Sequence, residues 1–134
     1  MTLFTSEDKM SQKAQNTTLI YICVSMFCAL FGGVYEYFGH GVISFHMIYA
    51  FAFPLVLGAL FFTIVGKSST LPYPCRISAS CLHLSVATTT VGSIVQGVLD
   101  IYGTTNRLSV IYIVACIILF ALSIVSYILQ ITKK

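Results

Sequence analysis

Residues 108–131, LSVIYIVACIILFALSIVSYILQI, carry no charged side chain. A helix needs roughly 20 predominantly apolar residues to cross a hydrocarbon core about 30 Å thick, and this stretch supplies them. Working back from it, three further stretches qualify, at about 18–38, 44–65 and 77–102. The whole chain agrees: 134 residues are 57% hydrophobic and 8% charged, with a mean hydropathy of +0.93. That leaves too little polar surface to cover a soluble globule. The expected fold is an all-α membrane protein, with a polar N-terminal tail over 1–15 and a four-helix transmembrane domain over 16–134. Short reversals make successive helices antiparallel, so the domain is expected as two antiparallel hairpins.

Local chemistry marks the boundaries. Gln15, Asn16, Thr17 and Thr18 offer side-chain oxygens to cap the first span. Gly39-His40-Gly41 supplies a tight reversal, because glycine accepts backbone angles that other residues resist. Pro72 and Pro74 break the chain after the second span, and Pro74 suits the first turn of the third helix, where a missing N–H matters little. Gly103 is expected to stop that helix, and Thr105 or Asn106 to cap the fourth. The first span is too long for a signal-peptide core of roughly 7–15 residues and lacks a small-residue cleavage site after it, so it is expected to be retained.

Six of the seven Lys and Arg residues (Lys9, Lys13, Lys67, Arg76, Lys133 and Lys134) fall on the side that holds both termini, and only Arg107 on the other. Positive charge in short loops is retained inside, so a multi-pass cell-membrane protein with cytoplasmic N- and C-termini is expected. The net charge of +3 follows from this topology and implies no nucleic-acid partner.

Two heptads read alike, 64 residues apart: Gly33-Val34-Tyr35-Glu36-Tyr37-Phe38-Gly39 and Gly97-Val98-Leu99-Asp100-Ile101-Tyr102-Gly103. Each closes the first helix of its hairpin, which suggests a parallel internal repeat about an axis along the membrane normal. Interface chemistry explains the composition of both copies, since aromatics favour the headgroup zone and glycine ends helices, but not their shared order. The segments Tyr35-Glu36-Tyr37-Phe38-Gly39-His40-Gly41-Val42 and Gly97 through Asn106 resemble small uncharacterised four-span bacterial membrane proteins. That resemblance implies a bacterial inner-membrane location and brings no activity, cofactor or site residue.

The candidate polar site is the outer rim, where Glu36, His40, Gln96, Asp100, Asn106 and Arg107 come from different helix ends. Gln96 and Asp100 are four apart and share a helix face. An acidic pair beside a histidine can attract a cation or pass a proton, because histidine changes charge near neutral pH. The plainer expectation is that Arg107 pairs with Asp100 across the short turn and that Glu36 reaches water. Inside the membrane the notable residues are His83, Thr89 within Thr88-Thr89-Thr90, and Pro54. His83 is expected as a hydrogen-bonded buried residue, and Pro54 as a kink or hinge in the second helix. Small residues such as Gly32, Gly33, Gly58, Gly92 and Gly97 are expected to let helices approach closely.

No metal motif, phosphate loop or nucleophile elbow is present, so no catalytic residue, metal ligand or cofactor is assigned. His46 and His83 differ in expected depth by around 10 Å, which disfavours one bis-histidine haem. Cys23, Cys28, Cys75, Cys81 and Cys116 form no Cys-x-x-Cys pair and are expected to be packing residues. The leading expectation is a non-enzymatic accessory or assembly subunit of a membrane complex, with the bilayer and a membrane-protein partner or a second copy as contacts. A small cation or solute transport module using the acidic rim is second, and a haem-binding redox subunit third.

Overall fold

The computed structural model describes residues 2–68, 70–104 and 106–133, and their side chains from residue 8 onward. It is all-helical, with α1 (Thr2–Phe38), α2 (Phe45–Tyr49), a π-helical segment (Pro54–Leu60), α3 (Phe61–Lys67), α4 (Arg76–Ile101) and α5 (Ser109–Thr132). Four stretches are long and apolar enough to cross a membrane: Asp8–Phe38, Phe45–Lys67, Arg76–Ile101 and Ser109–Thr132. The second span is thus composite, made of α2, the π-helical segment and α3. The chain forms two antiparallel hairpins, α1 with the second span and α4 with α5.

The polar stretch expected as a tail is helical from Thr2 and runs into the first span without a break. Ala14 is buried, close to where a Cβ on Gly66 would sit, and Ser11 donates to the Gly66 carbonyl at 3.5 Å. That packing holds residues beyond the apolar run in the same helix. The expected cap at residues 15–18 is corrected accordingly: the Thr17 and Thr18 hydroxyls each bond the carbonyl four residues back, at 2.9 Å.

Pro74 lies before α4 rather than in its first turn. The helix starts at Arg76 because the Cys75 N–H is drawn to Gln130 Oε1 at 2.7 Å, with Cys75 in an extended conformation. At the other end Gly103 stops α4 at φ +69°, and Asn106 Oδ1 accepts from the Leu108 N–H at 3.0 Å just before α5. Thr105, the other expected cap, lies outside the described residues. His40 and Gly41, at φ 58° and 84°, make the reversal after α1.

Pro54 does more than kink its helix. Its ring crowds the preceding turn and it has no N–H to give, so the chain widens into the π-helical segment, a wider turn of a kind often found at functional positions. Gly58 within that segment lies against the Tyr21 ring, with no room for a Cβ. Tyr21 in turn stacks on Phe62, a large side chain with 0% exposure, with ring centroids 5.9 Å apart. Tyr21, Ala59, Phe62, Leu82 and Val86 form the apolar core where α1, the second span and α4 meet.

α5 is held differently. It lies along α4 and makes no comparably extensive contact with α1 or the second span. Polar ties replace core burial: Ser78 and Ser123 exchange hydroxyl-to-carbonyl bonds at 3.0 Å, and Tyr127 donates to the Pro72 carbonyl at 3.0 Å. Gln130 Nε2 donates to the Tyr73 carbonyl at 2.8 Å. In lipid, where apolar contact alone does little to draw helices together, such bonds and close packing set the arrangement.

Candidate functional site

The reversals that follow α1 and α4 lie at one end of the bundle, called the rim. Here α1 ends in the first heptad and α4 in the second, with matching turns. The Gly39 N–H donates to the Glu36 carbonyl at 3.0 Å, and the Gly103 N–H to the Asp100 carbonyl at 3.1 Å. The chain of the second span enters between them. Met47, 1% exposed, sits where both Gly32 and Gly97 lack a side chain: a Cβ on Gly32 would come within 3.1 Å of the Met47 carbonyl, and one on Gly97 within 2.9 Å of Met47 Cβ. The pair that grips Met47 is therefore 65 residues apart, not the 64 of the heptads, while Gly33 faces open space.

Ser44 is the meeting point of the two heptads' carboxylates. It caps α2 in an extended conformation and is 2% exposed. Its N–H donates to Glu36 Oε1 at 3.3 Å, and its hydroxyl donates to Asp100 Oδ2 at 2.9 Å. Asp100 Oδ2 also receives His46 Nδ1 at 2.9 Å, and Asp100 Oδ1 receives Gln96 Nε2 at 3.0 Å. One carboxylate thus holds donors from the second span and from its own helix. A carboxylate only accepts, so the His46 hydrogen lies on Nδ1 and Nε2 is left turned away from Asp100. The His46 side chain is 58% exposed, and with Asp100 it forms the one ion pair among the described residues when the ring is protonated. Below it, the Ser93 hydroxyl donates to the His46 carbonyl at 2.6 Å.

Of the residues expected at the rim, Glu36, Gln96 and Asp100 come together. Arg107 does not: it is exposed, and the expected Asp100–Arg107 pair is replaced by Asp100 with Ser44, His46 and Gln96. The carboxylate points along α4 toward the second span, whereas Arg107 follows the turn outward. His40 also stands apart, with Nδ1 on the Phe38 carbonyl at 2.9 Å. Asn106 lines the neighbouring groove beside Gln96. The local sequence does not bring Ser44 to the rim, and it raises His46 only as a haem ligand, which its depth relative to His83 disfavours. The one available signal for Ser44 was a serine at the helix-capping position after Gly41.

Deeper in the bundle, Thr89 bonds the Ser85 carbonyl at 2.8 Å and also the Cys116 sulfur, so it joins α4 to α5. Thr90 bonds the Val86 carbonyl at 2.8 Å. His83 corrects an expectation. It is hydrogen-bonded through Nδ1 to the Tyr21 hydroxyl and stacked on Phe62 with centroids 5.4 Å apart, but its ring is exposed at the junction of α1 and α4. Its Nε2 has no partner among the described residues. The reason is packing: α1 crosses the second span closely and makes little contact with α4, leaving that side of the ring uncovered. All five cysteines are free thiols, and no group of three His, Cys, Asp or Glu residues among those described is placed to hold a metal ion. Comparison of this chain with protein families, with curated proteins and with solved structures finds no match.

Proposed function

We propose that this multi-pass membrane protein is a non-enzymatic accessory subunit of a larger membrane complex, and that its partner covers the face of α1 and α4 around His83. The observation that carries the reading is that exposed ring. His83 lies seven residues into α4, roughly 10 Å from the helix start at 1.5 Å per residue. A polar side chain at that depth is costly against lipid and normally faces protein or water. A partner side chain able to bond Nε2 removes the cost. Most of the interior hydroxyls support the same reading, since they are spent on carbonyls of their own or a neighbouring helix rather than standing free for chemistry. The Lys and Arg distribution supports cytoplasmic termini and an outward rim, and the resemblance of residues 35–42 and 97–106 to small four-span bacterial membrane proteins supports a bacterial inner membrane. The matching turns at Glu36 and Asp100 support descent of the two hairpins from a duplicated unit.

A photoreactive side chain at Ala87, one turn from His83 on the exposed side of α4, tests the reading in native membranes. It is expected to give one discrete protein adduct, while the same group at Ile118 on α5 labels lipid. Lipid labelling alone at both positions would overturn the proposal.

A second reading, transport of a small cation, is favoured by the convergence of Glu36 and Asp100 on Ser44. It expects Glu36→Gln and Asp100→Asn each to abolish ion flux in proteoliposomes. Flux unchanged in both variants would remove the rim acids from any transport path.

A further inference from the structure

Between the second span and α5, with α4 as its floor, the rim half of the molecule carries an open groove of about 540 Å³. That is within the roughly 300–1,000 Å³ of small-molecule sites. Its chemistry is graded along its length. At the rim it is lined by His46, Gln96, Asn106 and Ser109, and at its inner end by Phe53, Ile113 and Ile117. Ile117 lies eight positions beyond Ser109, roughly 12 Å along the helix, so the groove runs from the interface into the rim-side half of the hydrocarbon core.

The hydrogen-bonding capacity of this groove is uneven. Its inner polar atoms are already used, Thr89 on the Ser85 carbonyl and Ser93 on the His46 carbonyl. Its rim atoms are not. Ser109 Oγ is buried without any partner. Asn106 spends its Oδ1 on the Leu108 N–H, leaving its amide hydrogens. Gln96 spends Nε2 on Asp100, leaving Oε1, and His46 spends Nδ1, leaving Nε2. An unsatisfied buried hydroxyl is costly, so a ligand head that bonds Ser109 once its side chain turns into the groove gains from filling the site.

Charge narrows the ligand further. The Asp100 carboxylate stands beside the groove, bonded to the lining residues His46 and Gln96, and Arg107 does not line it, so an anionic phosphate head meets repulsion without a matching cation. A partner helix has no free backbone groups for the spare rim atoms and could meet them only through side chains, whereas a hydroxyl or carbonyl head reaches several of them at once. We infer that the groove binds one uncharged amphiphile, its hydroxyl or carbonyl head bonded at Ser109, Asn106 and His46 and its hydrocarbon tail lying over Ile113 and Ile117. A membrane quinone and a diacylglycerol share this chemistry. The groove lies on the α5 side, away from His83, so the inference stands independently of the partner proposal.

Native mass spectrometry of the delipidated full chain tests it, with a short-chain benzoquinone and a short-chain diacylglycerol as separate probes. One of the two is expected to form a one-to-one adduct, which identifies the head. Ile113→Trp, which fills the groove, is expected to weaken that adduct at least about tenfold, a difference of 1.4 kcal/mol. Val114→Trp, on a neighbouring part of α5 outside the groove, should leave it within about twofold of the unsubstituted chain, inside ordinary surface-mutation scatter. Both variants are checked for unchanged thermal unfolding, and Ser109→Ala, which preserves the shape, is expected to weaken binding as well. Absence of both adducts, equal binding by the two tryptophan variants, or equal affinity for phosphatidylglycerol would overturn the inference.

Discussion

Leucine in place of Gly58 is expected to destabilise the folded protein by about 3 kcal/mol, the largest effect of any single change considered. Even the first added carbon lands on the Tyr21 ring. That ring cannot swing aside freely, because it is stacked on Phe62 and its hydroxyl is bonded to His83. Overpacking a close contact costs roughly 1–3 kcal/mol, and loss of the Tyr21–His83 bond adds about 1 kcal/mol. Gly33→Ala is the matching control, since no atom lies within 4 Å of its Cβ position, and it should be neutral. Reversible unfolding in mixed detergent micelles measures both. Equal stability of the two variants would show that Gly58 does not govern the approach of α1 to the second span.

Asp100→Leu is expected to cost about 2 kcal/mol, through Ser44 more than through its own burial. Removing the carboxylate strands the Ser44 hydroxyl, which is 2% exposed, and releases Gln96 and His46. The bonds to His46 and Gln96 contribute less, because those groups reach the rim surface. Glu36→Gln should cost under about 0.5 kcal/mol, because an amide oxygen can still accept the Ser44 N–H. The same unfolding assay therefore separates the two acids: Asp100 is a clamp and Glu36 a lesser support. Equal losses from both would contradict this division.

These two residues also show what could be read from sequence. The four spans were legible because apolar length is a local property, and the chain reverses at its glycines and prolines. The observed starts of α4 and α5, Arg76 and Ser109, fall within a residue of those expected. What was not legible depends on pairing over long separations. Asp100 lies more than 50 residues from both Ser44 and His46 in sequence, and no local pattern says that the second span threads between two carboxylates. Pro54 announces a disturbed helix, but that Gly58 in the widened segment lies against the Tyr21 ring depends on two residues 37 apart in sequence. His83 was read as buried because intramembrane histidines usually are. Its exposure follows from how far α1 stands from α4, which the sequence of either helix alone does not state.

The central functional claim is that the exposed His83 face is covered in the cell. Extraction of native membranes into lipid-retaining polymer discs, followed by mass measurement of the released particle, tests it most directly. A particle heavier than the 14.7 kDa chain by a stoichiometric protein partner or second copy is expected, dissociated by His83→Leu without unfolding the chain. A particle containing one chain and lipid alone, unchanged by that substitution, would contradict it.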